Sequence, residues 1–149
     1  MTERTPRLYD PRTLGRLGLL FTPAFAAWFA KRNWEELGEF DKADSQGRWF
    51  WGGVALLVVN TAAYVLHWDT LFWIAQVAWL VQVVWWYFKP QAHQTAWAKV
   101  KLKGRYDRRS LVVPGLLASL VLAAAVFAMA GREYDKTMKE LTEKGLIAP

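Results

Sequence analysis

The sequence predicts an all-α integral membrane protein. Three observations carry that prediction: two charge-free apolar runs joined by three residues, a third such run nearer the C-terminus, and tryptophans gathered at the ends of the first two. Residues 49–67 (WFWGGVALLVVNTAAYVLH) and 71–88 (LFWIAQVAWLVQVVWWYF) contain no charged side chain. At about 1.5 Å of rise per residue, helices of this length approach the roughly 30 Å of a bilayer's hydrocarbon core. With only Trp68, Asp69 and Thr70 between them, the two must fold back as an antiparallel hairpin, with Asp69 or Thr70 as the N-cap of the second helix.

Composition agrees. Hydrophobic residues make up 54% of the 149 residues and aromatics 15%, with the charges segregated into clusters, a pattern of membrane chains. Trp49, Trp51, Trp68, Trp73, Trp85 and Trp86 sit near the run ends, where indole rings favour the membrane interface. The chain has no cysteine, which excludes disulfides, thiolate metal sites and cysteine nucleophiles.

Before the hairpin, residues 1–16 form a basic N-terminal arm carrying Arg4, Arg7, Arg12 and Arg16, expected to be irregular because Pro6 and Pro11 interrupt it. Residues 17–30 (LGLLFTPAFAAWFA) are apolar but only 14 long, with Pro23 in the middle. A straight span needs about 20 residues, so a broken re-entrant or interfacial helix is expected. Asn33 and Glu36 then have capping-box spacing, and Trp34, Leu37 and Phe40 recur every three residues, which predicts a short amphipathic helix.

Pro23, followed after nine residues by Asn33-Trp34-Glu35-Glu36-Leu37-Gly38 with Ala43 beyond, resembles a signature of many small bacterial inner-membrane proteins: an apolar segment with a central Pro leading into Asn, an aromatic, two variable residues and Leu-Gly. The resemblance covers residues 17–43. It implies a bacterial membrane protein and transfers no catalytic residue, because that group has no assigned activity.

Residues 89–110 form the basic loop, with Lys89, Lys99, Lys101, Lys103, Arg105, Arg108 and Arg109 against the single acid Asp107. Cationic segments beside spans are retained in the cytoplasm. This loop is therefore expected inside and residues 68–70 outside. Lys99, Lys101, Lys103, Arg105, Arg108 and Arg109, with Trp97 among them, are expected to set topology and to meet anionic lipid headgroups, which offer a membrane-adjacent cluster the same charge as nucleic acid at much higher local concentration. Residues 111–130 (LVVPGLLASLVLAAAVFAMA) are a third span, with Pro114 and Gly115 near its first turn. The charged tail 131–149 is expected outside as a C-terminal amphipathic helix. Its narrow stripe is Tyr134, Met138 and Leu141, and Gly145 is its stop. Residues 17–130 read as one helical membrane domain.

Within the spans the notable polar groups are Asn60, Gln76, Gln82 and Ser119. An amide in hydrocarbon is costly without a partner. Counted from the inner ends, Asn60 and Gln76 lie at similar depth, which allows a hydrogen bond across the hairpin; Gln82 is closest in level to Ser119. Gly115, Ser119 and Ala123 form a small-residue face that permits close helix approach.

Chemistry-bearing constellations are absent from the sequence. His67 and Asp69 are too few for a metal site, and there is no phosphate loop, nucleophile elbow or intramembrane carboxylate pair. No catalytic, metal or cofactor-binding residue is assigned. The expected function is non-enzymatic association with membrane partners, as an accessory or scaffold subunit or an immunity-type protein. Contacts are expected at Pro23, Trp34, Tyr134, Met138 and Leu141, with a membrane protein or a second copy as partner. The alternative is a small oligomeric transporter or channel with a pathway lined by Asn60, Gln76 and Gln82.

Overall fold

The computed structural model describes residues 5–103 and 105–146. Arg4 of the basic arm and the last three residues of the tail lie outside the described residues. The chain divides into two compact units, Met1–Leu111 and Val112–Pro149, and each is described by itself.

The first unit contains β1 (Arg7–Tyr9), α1 (Pro11–Leu20), α2 (Pro23–Glu36), α3 (Phe40–Val65), α4 (Asp69–Trp86), α5 (Ala92–Lys101) and β2 (Asp107–Arg109). The arm expected to be irregular is therefore ordered from residue 7 on. Pro11 starts a helix instead of breaking one: it occupies the first turn, where no amide hydrogen is needed, and Asp10 caps the Thr13 amide. β1 pairs in parallel with β2, Arg7 opposite Asp107 and Tyr9 opposite Arg109. This joins the two basic segments of the sequence.

The Pro23 break falls as the sequence suggests, but the helices beside it extend beyond the apolar run at both ends. Thr22 Oγ1 accepts from the Phe25 amide and starts α2, with Pro23 again in the first turn. α1 and α2 fold back on each other about residues 21–22. A Cβ on Gly18 would lie 3.0 Å from that of Ala26, while at the open end Tyr9 stacks edge-on against Phe29 at 4.8 Å. The two helices have 10 and 14 residues.

The short amphipathic helix expected to begin at Asn33 does not form. α2 runs through Asn33, which faces inward and is buried, so its side chain cannot cap a helix start. α2 ends instead at Gly38, which takes the left-handed conformation (φ +73°). There Gly38 and Glu39 amides donate to the Glu35 and Trp34 carbonyls, the paired bonds of a Schellman ending. α3 then begins at Phe40, nine residues before its charge-free part.

α3 ends by the same device two residues before the apolar run does. His67 takes φ +57°, and Trp68 and His67 amides donate to the Ala63 and Tyr64 carbonyls. α4 starts at Asp69 with Trp68 in the cap position and no side-chain cap bond, so neither Asp69 nor Thr70 serves as N-cap.

The inner end of α4 departs most from expectation. Residues 89–101, read as loop, are helical: α4 passes through one π turn, Tyr87–Gln91, into α5, giving a continuous helix over Asp69–Lys101. Pro90 lies inside the π turn. The wider turn accommodates the ring and the missing amide that would otherwise break the ladder.

In the second unit, α6 (Val112–Glu143) is one helix of 32 residues. The third apolar run and the charged tail helix are thus a single element. It stops with Gly145 at φ +67°, and Leu146 and Gly145 amides donate to the Leu141 and Thr142 carbonyls. Among the described residues, the helices over Asp69–Lys101 and Val112–Glu143 are long and apolar enough to cross a membrane. The charge-free part of α3 spans only residues 49–65.

Candidate functional site

The interior of the first unit is knit together by side-chain amides. Gln76 Nε2 donates to Asn60 Oδ1 at 3.0 Å, joining α4 to α3. Nearer the inner end, Gln82 Nε2 donates to the Trp49 carbonyl at 3.3 Å. Its partner is thus on α3; in the second unit the Ser119 hydroxyl donates to the Gly115 carbonyl one turn back in α6 at 2.9 Å. One turn further along α4, the buried Trp86 indole donates to Gln46 Oε1 at 3.0 Å.

Gln91 and Gln94, on one face of the helix leaving the π turn, reach the α1–α2 hairpin. Gln91 Nε2 donates to the Pro11 carbonyl, and Gln94 Nε2 to the Ala30 carbonyl at 2.9 Å. The sequence hid Gln46, Gln91 and Gln94 because all three sit in polar surroundings where an amide needs no partner. Their spacing gives one signal: Gln91 and Gln94 recur on the helical period that continues α4.

The motif around Asn33 has a structural explanation. Asn33 Oδ1 accepts from the Tyr9 amide at 2.8 Å, and its Nδ2 donates to the Tyr9 carbonyl at 2.7 Å, so it pairs with β1 as a neighbouring strand would. Trp34 is buried, edge-on to Trp97 at 5.4 Å with the Lys42 ammonium 4.9 Å from its ring. Leu37 and Gly38 end the helix, and Ala43 is buried. Two expected partner contacts are therefore corrected: Pro23 and Trp34 are both buried inside the unit and offer no surface to another protein. Trp97, half-buried, packs the edge of its ring against Trp34.

The basic residues separate into two groups. Arg109 pairs with Glu36 at 3.0 Å and lies 5.7 Å from the Tyr9 ring, which fixes the β1–β2 ribbon to the end of α2. Lys99, Lys103 and Arg108 instead line a cleft of about 570 Å³, which they share with Arg12 and Arg16 of α1. None of these five cations takes part in an ion pair among the described residues. Lys101 and Arg105, from the same sequence cluster, lie outside the cleft.

The cleft's single carboxylate is already engaged. Asp10 accepts from the Thr13 amide and hydroxyl and from the Tyr106 hydroxyl, the last at 2.9 Å. Partial burial pushes the Asp10 carboxyl up, but hydrogen bonds from Thr13 and Tyr106 and the charge of Arg108 outweigh it and hold the pKa below the usual carboxylate value. Burial, and then the bond to Asp10, push the Tyr106 phenol up, so it stays a neutral donor at physiological pH.

In comparisons with known proteins, no family model, no curated protein and no solved structure matches this chain. The site must therefore be read from its own chemistry. The cleft presents five cationic groups, a phenol and the first turn of α1, whose dipole end favours negative charge. That arrangement can hold an anion.

Proposed function

We propose that this is a non-enzymatic, multi-pass protein of the bacterial inner membrane that acts by associating with another membrane protein, as an accessory subunit or an immunity-type protein. α3, α4 and α6 are its three spans, and the α1–α2 hairpin is a shallow re-entrant element. The charge-free part of α3 covers about 26 Å at helical rise, enough with its flanking indoles for a thin or locally adapted bilayer. The apex of the α1–α2 hairpin reaches Gly53 and Trp86, about one turn inside the ends of the two runs. α5, the β1–β2 ribbon and the basic cleft lie on the cytoplasmic side. The turn at 66–68 and the end of α6 lie outside.

One observation supports association most directly. α6 holds no buried residue, and Gly115, Ser119 and Ala123 recur along it at four-residue spacing, a surface suited to close helix packing in lipid. Tyr134 and Met138 extend an apolar stripe into its polar half. The bond between Asn60 and Gln76 disfavours a conducting pathway, because it engages two of the three polar groups that would line one.

Purification in mild detergent, with mass spectrometry of co-eluting chains, tests this reading. The wild type is expected to retain a second chain or a second copy, and Gly115→Leu with Ala123→Leu is expected to release it while leaving membrane insertion intact. A wild type that elutes as a lone monomer from every mild detergent overturns it. Ion or solute flux in proteoliposomes, lost on replacing Asn60, Gln76 and Gln82 by Ala, would establish the transporter instead.

A further inference from the structure

We propose that the cleft between α1, α5 and the turn before β2 is a binding site for a phosphate-bearing ligand. The sequence scatters its cations over nearly a hundred positions: Arg12 and Arg16 belong to the N-terminal arm, Lys99 to the end of the long helix, Lys103 and Arg108 to the segment after it. Parallel pairing of β1 with β2 brings them to one concavity.

Like charges gathered this way repel each other, and none of the five is neutralised by an ion pair among the described residues. Asp10 is the only acid in the cleft, and its carboxylate oxygens are committed to Thr13 and Tyr106. By contrast Arg109, one residue along β2 from Arg108, has Glu36 as its partner. Of these two neighbouring cations on β2, Arg109 is thus paired on the side of α2, and Arg108 lines the cleft without an ion pair among the described residues.

The geometry fits a phosphate better than a carboxylate. Arg12 and Arg16 are one helical turn apart, so their guanidinium forks can address adjacent oxygens of one tetrahedral group. Lys99, Lys103 and Arg108 close the opposite wall, and about 570 Å³ admits a phosphate with its substituent. A smaller recess of about 410 Å³ adjoins it and shares Arg12, Arg16 and Lys99. Gln91 lines that recess; its Nε2 is held by the Pro11 carbonyl, and its Oε1 is buried without a hydrogen-bond partner. The two recesses together leave room for a substituent beside the phosphate, which favours a phosphate ester over inorganic phosphate.

Two sources supply this chemistry. α5 continues ten residues beyond the π turn, about 15 Å at helical rise, which puts the cleft at the boundary between the headgroup layer and the cytoplasm. A phosphatidylglycerol headgroup from the bilayer and a soluble glycerol phosphate from the cytoplasm are both within reach. The proposal does not rest on partner association, since every residue it uses lies in the first unit.

The test uses the full-length protein in nanodiscs of phosphatidylcholine. Binding of glycerol 1-phosphate is measured by calorimetry, and retention of phosphatidylglycerol by native mass spectrometry after 20% of that lipid is included. The double variant Arg12→Gln/Arg16→Gln is compared with Lys101→Gln/Arg105→Gln, which removes the same charge outside the cleft. Loss of charge-assisted hydrogen bonds is expected to weaken binding roughly tenfold or more in the first pair, and little in the second. Lys99→Gln/Lys103→Gln, at two exposed positions, repeats the test from the opposite wall. Retention of the lipid alone assigns the site to the bilayer, and binding of the soluble ester alone assigns it to the cytoplasm. Equal losses in cleft and control variants, or no binding of either probe by the wild type, overturn the proposal.

Discussion

Gln76 Nε2 reaches Asn60 Oδ1 across the α3–α4 hairpin at 3.0 Å, more than one helical turn inside the ends of the two apolar runs. An interhelical amide bond in hydrocarbon contributes about 0.6 to 1.7 kcal/mol. Asn60→Leu and Gln76→Leu are each expected to destabilise the hairpin by about 1 kcal/mol, because each leaves the other amide unpaired. The double substitution should cost less than the sum of the two. Reversible unfolding in mixed micelles, analysed as a double-mutant cycle, measures the coupling; additive costs would mean that the bond contributes nothing.

Gly53 and Gly47 lie on the same helix and predict opposite outcomes for one substitution. A Cβ on Gly53 would sit 2.7 Å from Ala24 Cβ and 3.2 Å from the Ala24 amide nitrogen, and backbone cannot yield as a flexible side chain can. Gly53→Ala is therefore expected to push α2 off α3 at a cost of about 1 to 3 kcal/mol. At Gly47 the nearest atom is the flexible Lys31 Cδ at 3.7 Å. Gly47→Ala is expected to stabilise by up to about 1 kcal/mol through helix propensity alone. Thermal unfolding of the two variants in one detergent gives both signs.

Regularities along the helix axis were legible in the sequence. Depth counting paired Asn60 with Gln76, and the three residues after His67 required a hairpin. The Pro23 break, the glycine stop at Gly145 and the apolar part of α6 were also readable. What stayed hidden depends on residues distant in sequence. The dense charge of 89–110 read as a loop, yet a π turn carries the helix through Pro90 to Lys101. Asn33 looked like a cap because its partner, Tyr9, is 24 residues away on a strand too short to show a period. The cleft was invisible for the same reason, since its two walls come from opposite ends of the first unit, and the 99–109 cluster read as one group when the ribbon separates Arg108 from Arg109.

Asp10 makes the fold acid-sensitive in a defined direction. Its pKa is lowered in the folded chain, so its contribution is complete at pH values above the ordinary carboxylate value of 3.8 and is lost as pH falls through the lower folded value. Asp10→Ala, which removes the cap of α1, is expected to cost about 1 kcal/mol at neutral pH. Asp10→Asn keeps a capping oxygen but loses the charge and one acceptor, so at neutral pH it should lie below the wild type by less than Asp10→Ala does, and it should lose less stability as pH falls below about 3.8. Unfolding midpoints across that range separate the cap from the charge; an undiminished acid loss in Asp10→Asn would assign the sensitivity to another carboxylate.

Asn33 fixes β1 through two bonds to one residue, and its variants separate the two. Asn33→Ala leaves the Tyr9 amide and carbonyl without their partner on α2, at a cost of about 1 to 3 kcal/mol. Asn33→Asp keeps an acceptor for the Tyr9 amide at 2.8 Å but turns the 2.7 Å contact with the Tyr9 carbonyl into a repulsion. Both variants should speed hydrogen exchange at the Tyr9 amide, Ala more than Asp, because only Ala removes the acceptor. β1 holds β2 in register, and β2 carries Arg108 into the cleft. Loosening the ribbon is therefore expected to weaken phosphate binding even though Asn33 does not line the cleft. The Arg109–Glu36 pair is a second clamp at 3.0 Å, so Asn33→Ala combined with Glu36→Gln should lose more binding than either alone. A double variant that binds glycerol 1-phosphate as the wild type does would show that the cleft keeps its shape without the ribbon.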